Sequence, residues 1–554
     1  MKEILIELLS RELRLPEREV ENMIEIPQNS SLGDYAFPCF SLAKSLKSNP
    51  LLIAEDLAEN LRRKIPKEIS SVDFRGGYVN FFIDKKILVK EVFEKVEKKD
   101  FGMNNDGKGR KIVIDMSSPN IAKPFGIGHL RSTIIGNSIG KICSANGYNV
   151  IKINYLGDWG TGFGRLIFGF RKFGSEEKLK KNPIKHLLEV YVKASSEEYD
   201  GESRNEFKKL EEGDKENLKL WKKFKELSMK EFGEIYDMFG VEFDVISGES
   251  EYNEKMDGVI KELEQKKLLV EDDGAKIVNL KKEGLGVVLI QKSDGTSLYS
   301  TRDLAAAIDR YEKYKFHRII YEVGQEQKLH FRQLFRVLEL MKYLWAKNCV
   351  HAYHGLYLDK DGKKFSTRKG KTIFMKDILY EVIKKAAKNL TDREKLSKKE
   401  LEKRSMKVAL AAIIYGDIKN PKENNVVFDV DRFLSFEGDT GPYLLYSYAR
   451  ANSISRRVKK KKAVKIIDLK DSEIELLKKI NRFPEVARKS YENLAPNLIA
   501  NYSFELCKLF NEFYHSCPVL GSIEEGFRLK LVEAFRITLK KSLGLIGIDV
   551  LEEM

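Results

Sequence analysis

Residues 112–142 constrain the fold of this chain more than any other segment. An apolar run at 112–114 is followed by a glycine-containing turn and then by a helix-like stretch at 134–142. The turn holds two glycines, one histidine and one lysine, namely Gly126, Gly128, His129 and Lys123. Glycines let backbone approach a phosphate closely, and a helix N-terminus attracts an anion. The pattern predicts a strand–turn–helix unit that binds a nucleotide.

The charge of the chain indicates a polyanionic partner. The 554 residues include 99 Lys and Arg against 84 Asp and Glu, which gives a net charge of +15. A large basic protein favours nucleic acid as the partner. The alternative is a lysine-rich surface without such a partner.

Cysteine usage and hydropathy exclude several classes of protein. The five cysteines are scattered and form no Cys-x-x-Cys pair, so neither a zinc ribbon nor a disulfide framework is supported. No apolar run approaches the roughly 18–20 residues of a membrane span. The N-terminus reads as a charged amphipathic helix rather than a signal peptide. We therefore expect a cytoplasmic protein without a membrane partner.

Three regions with different patterns predict three domains. Residues 1–100 read as an α+β domain, with helices near 2–14 and 50–64 and two strands around Gly76 and Gly77. Residues 101–375 read as an α/β domain with a parallel sheet and a helical insertion near 174–250. Its strand–helix units are expected to continue at 150–153 and to resume at 287–290 and 319–321. Residues 376–554 read as an all-α helical bundle.

A second short motif lies far downstream, at residues 363–370. It reads Lys-Lys-Phe-Ser-Thr-Arg-Lys-Gly and follows Asp361-Gly362. Cationic and hydroxyl side chains on a glycine-containing loop can grip phosphates, although a basic surface turn is an equal alternative for this motif alone. Together the two loops suggest nucleotidyl transfer, which needs cationic groups on both sides of the reacting phosphate.

The two loops resemble the HIGH and KMSKS motifs of class I aminoacyl-tRNA synthetases. More specific segments resemble arginyl-tRNA synthetases: SSPNIAKP at 117–124, GDWGT at 157–161, LYSTRDLA at 298–305 and QKLHF at 327–331. Further matching segments lie towards both ends: GDYA at 33–36, GYVNF at 77–81, TGPY at 440–443 and LGLIGI at 543–548. The resemblance therefore spans the whole chain.

This resemblance implies a Rossmann-like catalytic domain and a two-step ligation of L-arginine to tRNA(Arg) through an arginyl-adenylate. It implies catalytic roles for His129, Lys123, Lys364, Ser366 and Arg368. It implies ATP contacts at Gly126, Gly128, His129, Gly157 and Asp158. It implies arginine contacts at Asp115, Asn120, Tyr299, Asp303 and Gln327. Tyr299 and Asp303 are four residues apart, so a helix would place both on one face, where a carboxylate can receive a guanidinium.

The resemblance also implies cofactors and partners. ATP should be accompanied by Mg²⁺, with no zinc and no other metal site, and activation should require bound tRNA. The N-terminal domain should contact the outer corner of the tRNA, and the helical domain should read the anticodon. Candidate tRNA contacts are Tyr443, Tyr446, Tyr448 and Arg450. The alternative for the three tyrosines is a place in the core, where aromatic residues of a helical domain more often lie. Lys459 to Lys462 either touch phosphates or are solvated, and a monomer is expected.

Several positions differ from the residues that are usual in the motifs of this family. Gly126 replaces the first histidine of HIGH, and Tyr155 and Gly162 replace a histidine and a glutamine around GDWG. Phe365 and Thr367 alter KMSKS, where the resemblance lets Lys123 substitute for the missing lysine. We hypothesise that Tyr155 fills the space left by Gly126 and Gly162. A catalytically degenerate tRNA-binding paralogue and a class I synthetase for another amino acid are the alternatives, and Asp303 argues against a neutral substrate.

Overall fold

The computed structural model describes residues 1–27, 29–293, 299–363, 374–392, 395–458 and 463–554. The chain forms two compact units, each assembled from separate segments. The first contains residues 1–101, 458–482 and 509–535, and the second contains residues 102–457, 483–508 and 536–554. In the part of the chain that the structure describes, no helix is long and apolar enough to cross a membrane.

The N-terminal segment of the first unit combines helices with an antiparallel sheet. Its helices are α1 (Lys2–Leu13), α2 (Glu17–Met23), α3 (Phe40–Leu46), α4 (Pro50–Arg62) and α5 (Lys85–Val96). Its strands are β1 (Tyr35–Pro38), β2 (Ile69–Arg75) and β3 (Tyr78–Ile83), in the order β1-β3-β2. Gly76 and Gly77, both with positive φ, form the turn of the β2–β3 hairpin. The predicted α+β pattern is therefore present.

The centre of the second unit is a five-stranded parallel sheet in the order β11-β10-β4-β5-β6. Its strands are β4 (Lys111–Asp115), β5 (Asn149–Leu156), β6 (Val245–Gly248), β10 (Arg318–Tyr321) and β11 (Cys349–His351). Since β5 and β10 pair with opposite edges of β4, their connections leave in opposite directions. Ligands of such sheets bind beyond the carboxyl ends of the strands at this switch point.

One strand was placed in the wrong sheet by the sequence pattern, and another was missed. Residues 287–290 belong to a separate antiparallel sheet of β7 (Val270–Asp272), β8 (Ala275–Leu280) and β9 (Gly286–Gln291). The short β6, which follows the helical insertion, supplies the edge of the parallel sheet instead. An apolar run alone does not distinguish a strand of one sheet from a strand of another.

Helices cover the sheet and form the insertion. They are α6 (Ile127–Ala145), α7 (Thr161–Phe173), α8 (Glu176–Lys181), α9 (Pro183–Lys193), α10 (Asp200–Glu211), α11 (Lys215–Phe239), α12 (Met256–Gln265), α13 (Tyr299–Tyr314) and α14 (Lys328–Leu340). Helix α6 lies very close to the segment after β4, because a Cβ at Gly136 would come within 2.5 Å of Met116. Buried Arg131 on α6 bonds Asp417 at 3.1 Å.

The C-terminal region is helical, as the pattern predicted. After the short parallel pair β12 (Tyr357–Leu358) and β13 (Val426–Val427), its helices are α15 (Met375–Thr391), α16 (Lys398–Ile418), α17 (Val430–Phe433), α18 (Gly441–Arg456), α19 (Asp471–Asn481), α20 (Phe483–Glu492), α21 (Asn497–Ser516) and α22 (Glu525–Leu545). Helix α19 belongs to the first unit, where Lys478 reaches Asp34 at 2.5 Å.

Candidate active site

The loop after β4 is held in an uncommon backbone conformation. Ser117, Ser118 and Ala122 all have positive φ, which side-chain-bearing residues adopt rarely. The hydroxyl of Ser132 on α6 accepts the N–H of Ser117 at 2.9 Å, and the hydroxyl of Ser228 on α11 accepts the N–H of Ala122 at 3.1 Å. Strained backbone of this kind persists only where its surroundings fix it. The loop is therefore a fixed platform at the carboxyl end of β4.

The N-terminus of α6 leaves open space beside its glycines. Gly126 is the N-cap and Gly128 lies in the first turn, and both have ordinary negative φ. A Cβ at Gly126 would meet only the Nδ1 atom of His129, at 3.8 Å, and one at Gly128 would meet nothing within 4 Å. Packing therefore does not require either glycine. Their small size leaves the helix N-terminus accessible to an anion.

His129 is held as a neutral hydrogen-bond donor. Its Nδ1 atom accepts the N–H of Gly126 at 3.1 Å, which leaves the proton of a neutral ring on Nε2. Burial, reinforced by the charges of Lys123 and His354, lowers the pKa of His129 to about 4. The surroundings therefore keep the His129 ring uncharged, which leaves Lys123 as the cationic side chain of this turn.

A cavity of about 280 Å³ lies between the loop after β4, the turn after β5 and helix α9. Asn120, Lys123, Gly157, Trp159 and Tyr191 are among its lining residues. The ammonium of Lys123 lies 5.9 Å from the centre of the Tyr191 ring. The structure thus brings Lys123, Asn120 and Gly157 of the predicted site to one cavity.

The turn after β5 is fixed by a buried carboxylate. The Asp158 side chain is fully buried and bonds the ammonium of Lys225 at 2.6 Å and both the N–H and the hydroxyl of Ser250 at 2.9 Å. A Cβ at Gly157 would lie 2.4 Å from Asn120 Oδ1, so a larger residue there would displace the Asn120 side chain. Asp158 supports the turn, so its predicted contact with ATP stays a prediction that this bonding does not favour.

Helix α13 presents the residues predicted to read a guanidinium. Asp303 Oδ2 lies 2.7 Å from Nε2 of His330, and the Tyr299 ring lies 5.2 Å from the His330 ring. Tyr299 is 59% exposed, and Gln327 is exposed just before α14. His330 lies within the QKLHF segment at 327–331, but the sequence analysis predicted no role for it. The structure adds it as the partner that orients Asp303.

Asp115 lies at the end of β4 and is already bonded through both oxygens. Its Oδ2 atom accepts from the guanidinium of Arg310 at 2.7 Å, and its Oδ1 atom accepts from the hydroxyl of Ser118 at 3.1 Å. Burial raises the pKa of the Asp115 carboxyl, and the guanidinium opposes that shift. A carboxylate has about four acceptor sites, so the contact of Asp115 with arginine stays a prediction.

Two further acidic residues face the site without having been predicted. Glu249 lies 3.5 Å from Arg302, and burial raises its pKa to about 7 despite that guanidinium. Glu322 follows β10, is fully buried and bonds Nδ1 of His354 at 2.8 Å. No motif marks either acid, since each is defined by neighbours that are distant in sequence.

The compensation hypothesis for Tyr155 is wrong. Its ring lies 4.8 Å from the guanidinium carbon of Arg310 and 5.9 Å from the ring of Tyr252. No atom of Tyr155 lies within 4 Å of a Cβ built at Gly126 or Gly162. Alternation along β5 directs this ring into the layer between the sheet and α13, away from both glycines.

The candidate tRNA contacts differ in exposure. Tyr448 is 1% exposed, so the suggestion that it stacks on a base is wrong. Tyr446 and Arg450 are half-buried neighbours on α18, with the guanidinium donating to the phenol oxygen at 3.2 Å. Tyr443 is half-buried with its ring 5.7 Å from Phe504. The contacts predicted for these three residues stay predictions.

Some predicted residues cannot be placed. Lys364, Ser366 and Arg368 of the second loop, and Lys459 to Lys462, lie outside the described residues.

The described residues still combine a parallel sheet, a glycine turn at a helix N-terminus and a set of carboxylates at the switch point. These features define the nucleotide-binding domain of a class I aminoacyl-tRNA synthetase.

Comparison with known proteins identifies the branch of that class. Residues 90–430 match the model of the class I tRNA synthetase (R) catalytic domain, 1–83 match the arginyl-tRNA synthetase N-terminal domain, and 444–554 match the DALR anticodon-binding domain. An arginine–tRNA ligase of Clostridium perfringens is 44% identical over 100% of both chains. One from Clostridium acetobutylicum is 41% identical, also over 100% of both.

Solved structures share the fold. The arginyl-tRNA synthetase of Thermus thermophilus superposes with a TM-score of 0.86, 23% identity and 100% coverage of both chains. That of Plasmodium falciparum gives a TM-score of 0.80 and 24% identity, covering 96% of this chain and 94% of its own. From the matches to its sequence, this chain belongs to the arginyl-tRNA synthetase family.

Proposed function

We propose that this chain ligates L-arginine to tRNA(Arg) in two steps. The arginine carboxylate attacks the α-phosphate of ATP, giving arginyl-adenylate and pyrophosphate. The terminal ribose 2′-hydroxyl of the tRNA then attacks the adenylate carbonyl and releases AMP. Neither step needs a covalent bond to the protein, so positioning and electrostatic stabilisation supply the rate.

The observation that carries this proposal is the pair of Asp303 and His330 beside Tyr299. An ionised carboxylate in a partly buried site favours a planar guanidinium, which can donate two parallel hydrogen bonds. With Nε2 of His330 on one oxygen, the other oxygen of Asp303 remains to receive the substrate. A neutral side chain would leave the second oxygen of this carboxylate without a charged partner, which costs free energy. The arrangement therefore supports arginine over uncharged amino acids.

The phosphates of ATP fit the N-terminus of α6. The open space at Gly126 and Gly128 would admit them, and the free N–H of His129 would donate to an oxygen as charge moves to pyrophosphate. Lys123 would approach from the loop after β4. Lys364, Ser366 and Arg368 would act from the second loop, in keeping with the resemblance. The adenosine would lie near Gly157.

Mg²⁺ would accompany ATP and offset charge on its phosphates. Within the described ranges no group of three or more His, Cys, Asp and Glu side chains is arranged to hold a metal ion. Mg²⁺ commonly binds through substrate phosphates, one or two carboxylates and water rather than in a cage made only of protein. The residues at α6 are compatible with this mode, in which substrate phosphates hold the ion.

We also propose the remaining assignments. Residues 1–100 would contact the outer corner of the tRNA. Residues 101–375 would carry out the chemistry, and 376–554 would bind the anticodon, with Tyr443, Tyr446 and Arg450 as contacts. The enzyme would act as a cytoplasmic monomer. Light scattering of the purified protein, with and without tRNA, tests the monomer, and a mass of twice 63.9 kDa without tRNA contradicts it.

Arginine-dependent exchange of pyrophosphate into ATP tests the proposed function. We expect exchange with arginine in the presence of tRNA and little without it. Lysine and citrulline serve as matched alternatives, since lysine keeps a charge without the planar fork and citrulline keeps the shape without the charge. No exchange even with tRNA would instead favour a degenerate tRNA-binding paralogue. Preferred charging of another amino acid would overturn the substrate assignment.

A further inference from the structure

Arg310 is a buried guanidinium inside the candidate site that no motif identified. Its side chain is 2% exposed, and its Nη1 atom donates to Asp115 at 2.7 Å. The guanidinium carbon lies 4.8 Å from the centre of the Tyr155 ring and 5.8 Å from that of Tyr321. Its Nε and Nη2 atoms have no hydrogen-bond partner among the described residues. Two aromatic faces and one carboxylate therefore hold a permanent cation in place.

Arg310 and Asp303 lie on the same helix and on the same face. They are seven residues apart in α13, which is about 10.5 Å along the axis and nearly two full turns. Asp303 would receive the guanidinium of the substrate. At the other end of this face Arg310 holds Asp115, which is also a predicted arginine contact. Helix α13 thus sets the distance between Asp303 and Asp115, the two carboxylates at the ends of the proposed arginine pocket.

The two carboxylates have different direct partners. Asp115 is paired with a guanidinium, which stays charged at every physiological pH. Asp303 is bonded to Nε2 of His330, and a neutral imidazole can donate such a bond. The pair at the Asp115 end is therefore electrically neutral, while Asp303 keeps a charge to offer. Arginine carries a guanidinium at one end and an ammonium at the other. The two carboxylates that it encounters therefore differ in charge, since Asp115 is neutralised by Arg310 and Asp303 is not.

We propose that Arg310 is a positioning residue that fixes the direction in which arginine enters its pocket. By occupying Asp115, it prevents the guanidinium of the substrate from pairing there and leaves Asp303 as the preferred partner. Arginine bound in reverse would hold its α-carboxylate away from the α-phosphate of ATP and would not react. The inference rests on the proposed function, because it assumes that arginine occupies this pocket.

Three variants test this inference in arginine-dependent ATP–pyrophosphate exchange with tRNA. Arg310→Gln removes the charge, Arg310→Lys keeps the charge but loses the planar fork, and Arg336→Gln removes an arginine paired with Glu283 and Glu339 on the surface. Thermal melting and tRNA binding establish that each variant is folded. KM values are measured separately for arginine and for ATP.

For Arg310→Gln we expect the KM for arginine to rise at least 10-fold, with the KM for ATP within twofold of wild type. We also expect inhibition at high arginine, because uncompensated Asp115 then binds the guanidinium in the reversed, unreactive direction. Arg310→Lys should abolish that inhibition while raising the KM for arginine about threefold. Arg336→Gln should behave as wild type. A purely structural role would not produce inhibition that a lysine removes.

Two results would overturn the inference: an unchanged KM for arginine without inhibition, or equal rises in both KM values. If Arg310→Gln does not fold, Arg310→Lys decides, since an unchanged KM for arginine in the folded lysine variant contradicts the role. Wild-type exchange separates this inference from the proposed function. Its absence would refute the function, whereas its presence with insensitive variants would refute only the role of Arg310.

Discussion

Replacing Asp303 by asparagine should selectively weaken the use of arginine. The side chain is 24% exposed, with Oδ2 bonded to His330 at 2.7 Å, so one oxygen remains to receive the guanidinium. Asparagine keeps the size but removes the charge, and it can turn an N–H₂ group towards the substrate. We expect the loss in kcat/KM for arginine, with the KM for ATP unchanged.

The expected fall in kcat/KM for Asp303→Asn depends on how exposed the Asp303 side chain is. Removing one partner of a hydrogen-bonded charge pair costs about 2–5 kcal/mol. Asp303 is partly exposed and is already bonded to His330, so the lower part of the range, about 2–3 kcal/mol, applies. At about 1.4 kcal/mol per factor of ten, this is roughly a 30- to 150-fold fall in kcat/KM.

Asp309 provides a matched control on the same helix. It is 28% exposed and pairs with Lys255 through a direct contact, away from the His330 side. Asp309→Asn should leave kcat/KM for arginine within about twofold, as expected for an exposed ion pair. Both variants are assayed by arginine-dependent ATP–pyrophosphate exchange with saturating tRNA. A fall of less than threefold for Asp303→Asn, or an equal fall for both, would refute the reasoning.

Further predictions concern the protonation of His129, the buried pair of Arg131 and Asp417, and the glycine at position 157. His129, with its pKa lowered to about 4 against about 6.5 in an unfolded chain, should stay neutral in an NMR titration down to about pH 5, and acidification between those two values should favour unfolding through this residue. Arg131→Met should lower the free energy of unfolding by about 3–5 kcal/mol in a urea titration, since it leaves the Asp417 charge buried and unpaired. Gly157→Ala should lower kcat/KM for arginine in the exchange assay, because its Cβ would displace the side chain of Asn120, a predicted arginine contact.

Controls exist for each of these variants. Arg336→Gln removes an exposed ion pair and should cost at most about 1 kcal/mol in the same urea titration. Gly162→Ala adds a Cβ that meets only Tyr191, at 3.9 Å, so exchange should persist. Three results would each contradict the corresponding argument: a His129 midpoint near pH 6.5, an Arg131→Met variant as stable as wild type, or a Gly157→Ala variant with the kcat/KM of wild type.

The sequence predicted the parts of the fold that depend on local pattern. The strand–turn–helix unit around Gly126, the hairpin at Gly76 and the helices of the C-terminal region follow from periodicity and turn residues. Strand β6 was missed because it is four residues long and follows a long insertion. Strand β9 was assigned to the wrong sheet because pairing partners are not encoded in the strand itself.

The same distinction holds for the candidate site. Tyr299 and Asp303 could be placed on one helical face from their spacing alone. Arg310 could not be linked to Asp115, nor Glu322 to His354, because each pair joins elements that are far apart in sequence. The contacts that burial decides, such as those of Asp158 and Tyr448, also require the folded structure.

Helix α11, which belongs to the insertion, holds two segments of the candidate site in place. Its Ser228 secures the loop after β4, its Lys225 secures Asp158 in the turn after β5, and its Tyr236 hydroxyl reaches both Ser117 and Asn154. Two segments of the candidate site, which follow the neighbouring strands β4 and β5, thus depend on one helix that interrupts the sheet in sequence. Shortening the protein by excising this insertion would dismantle the site rather than trim it.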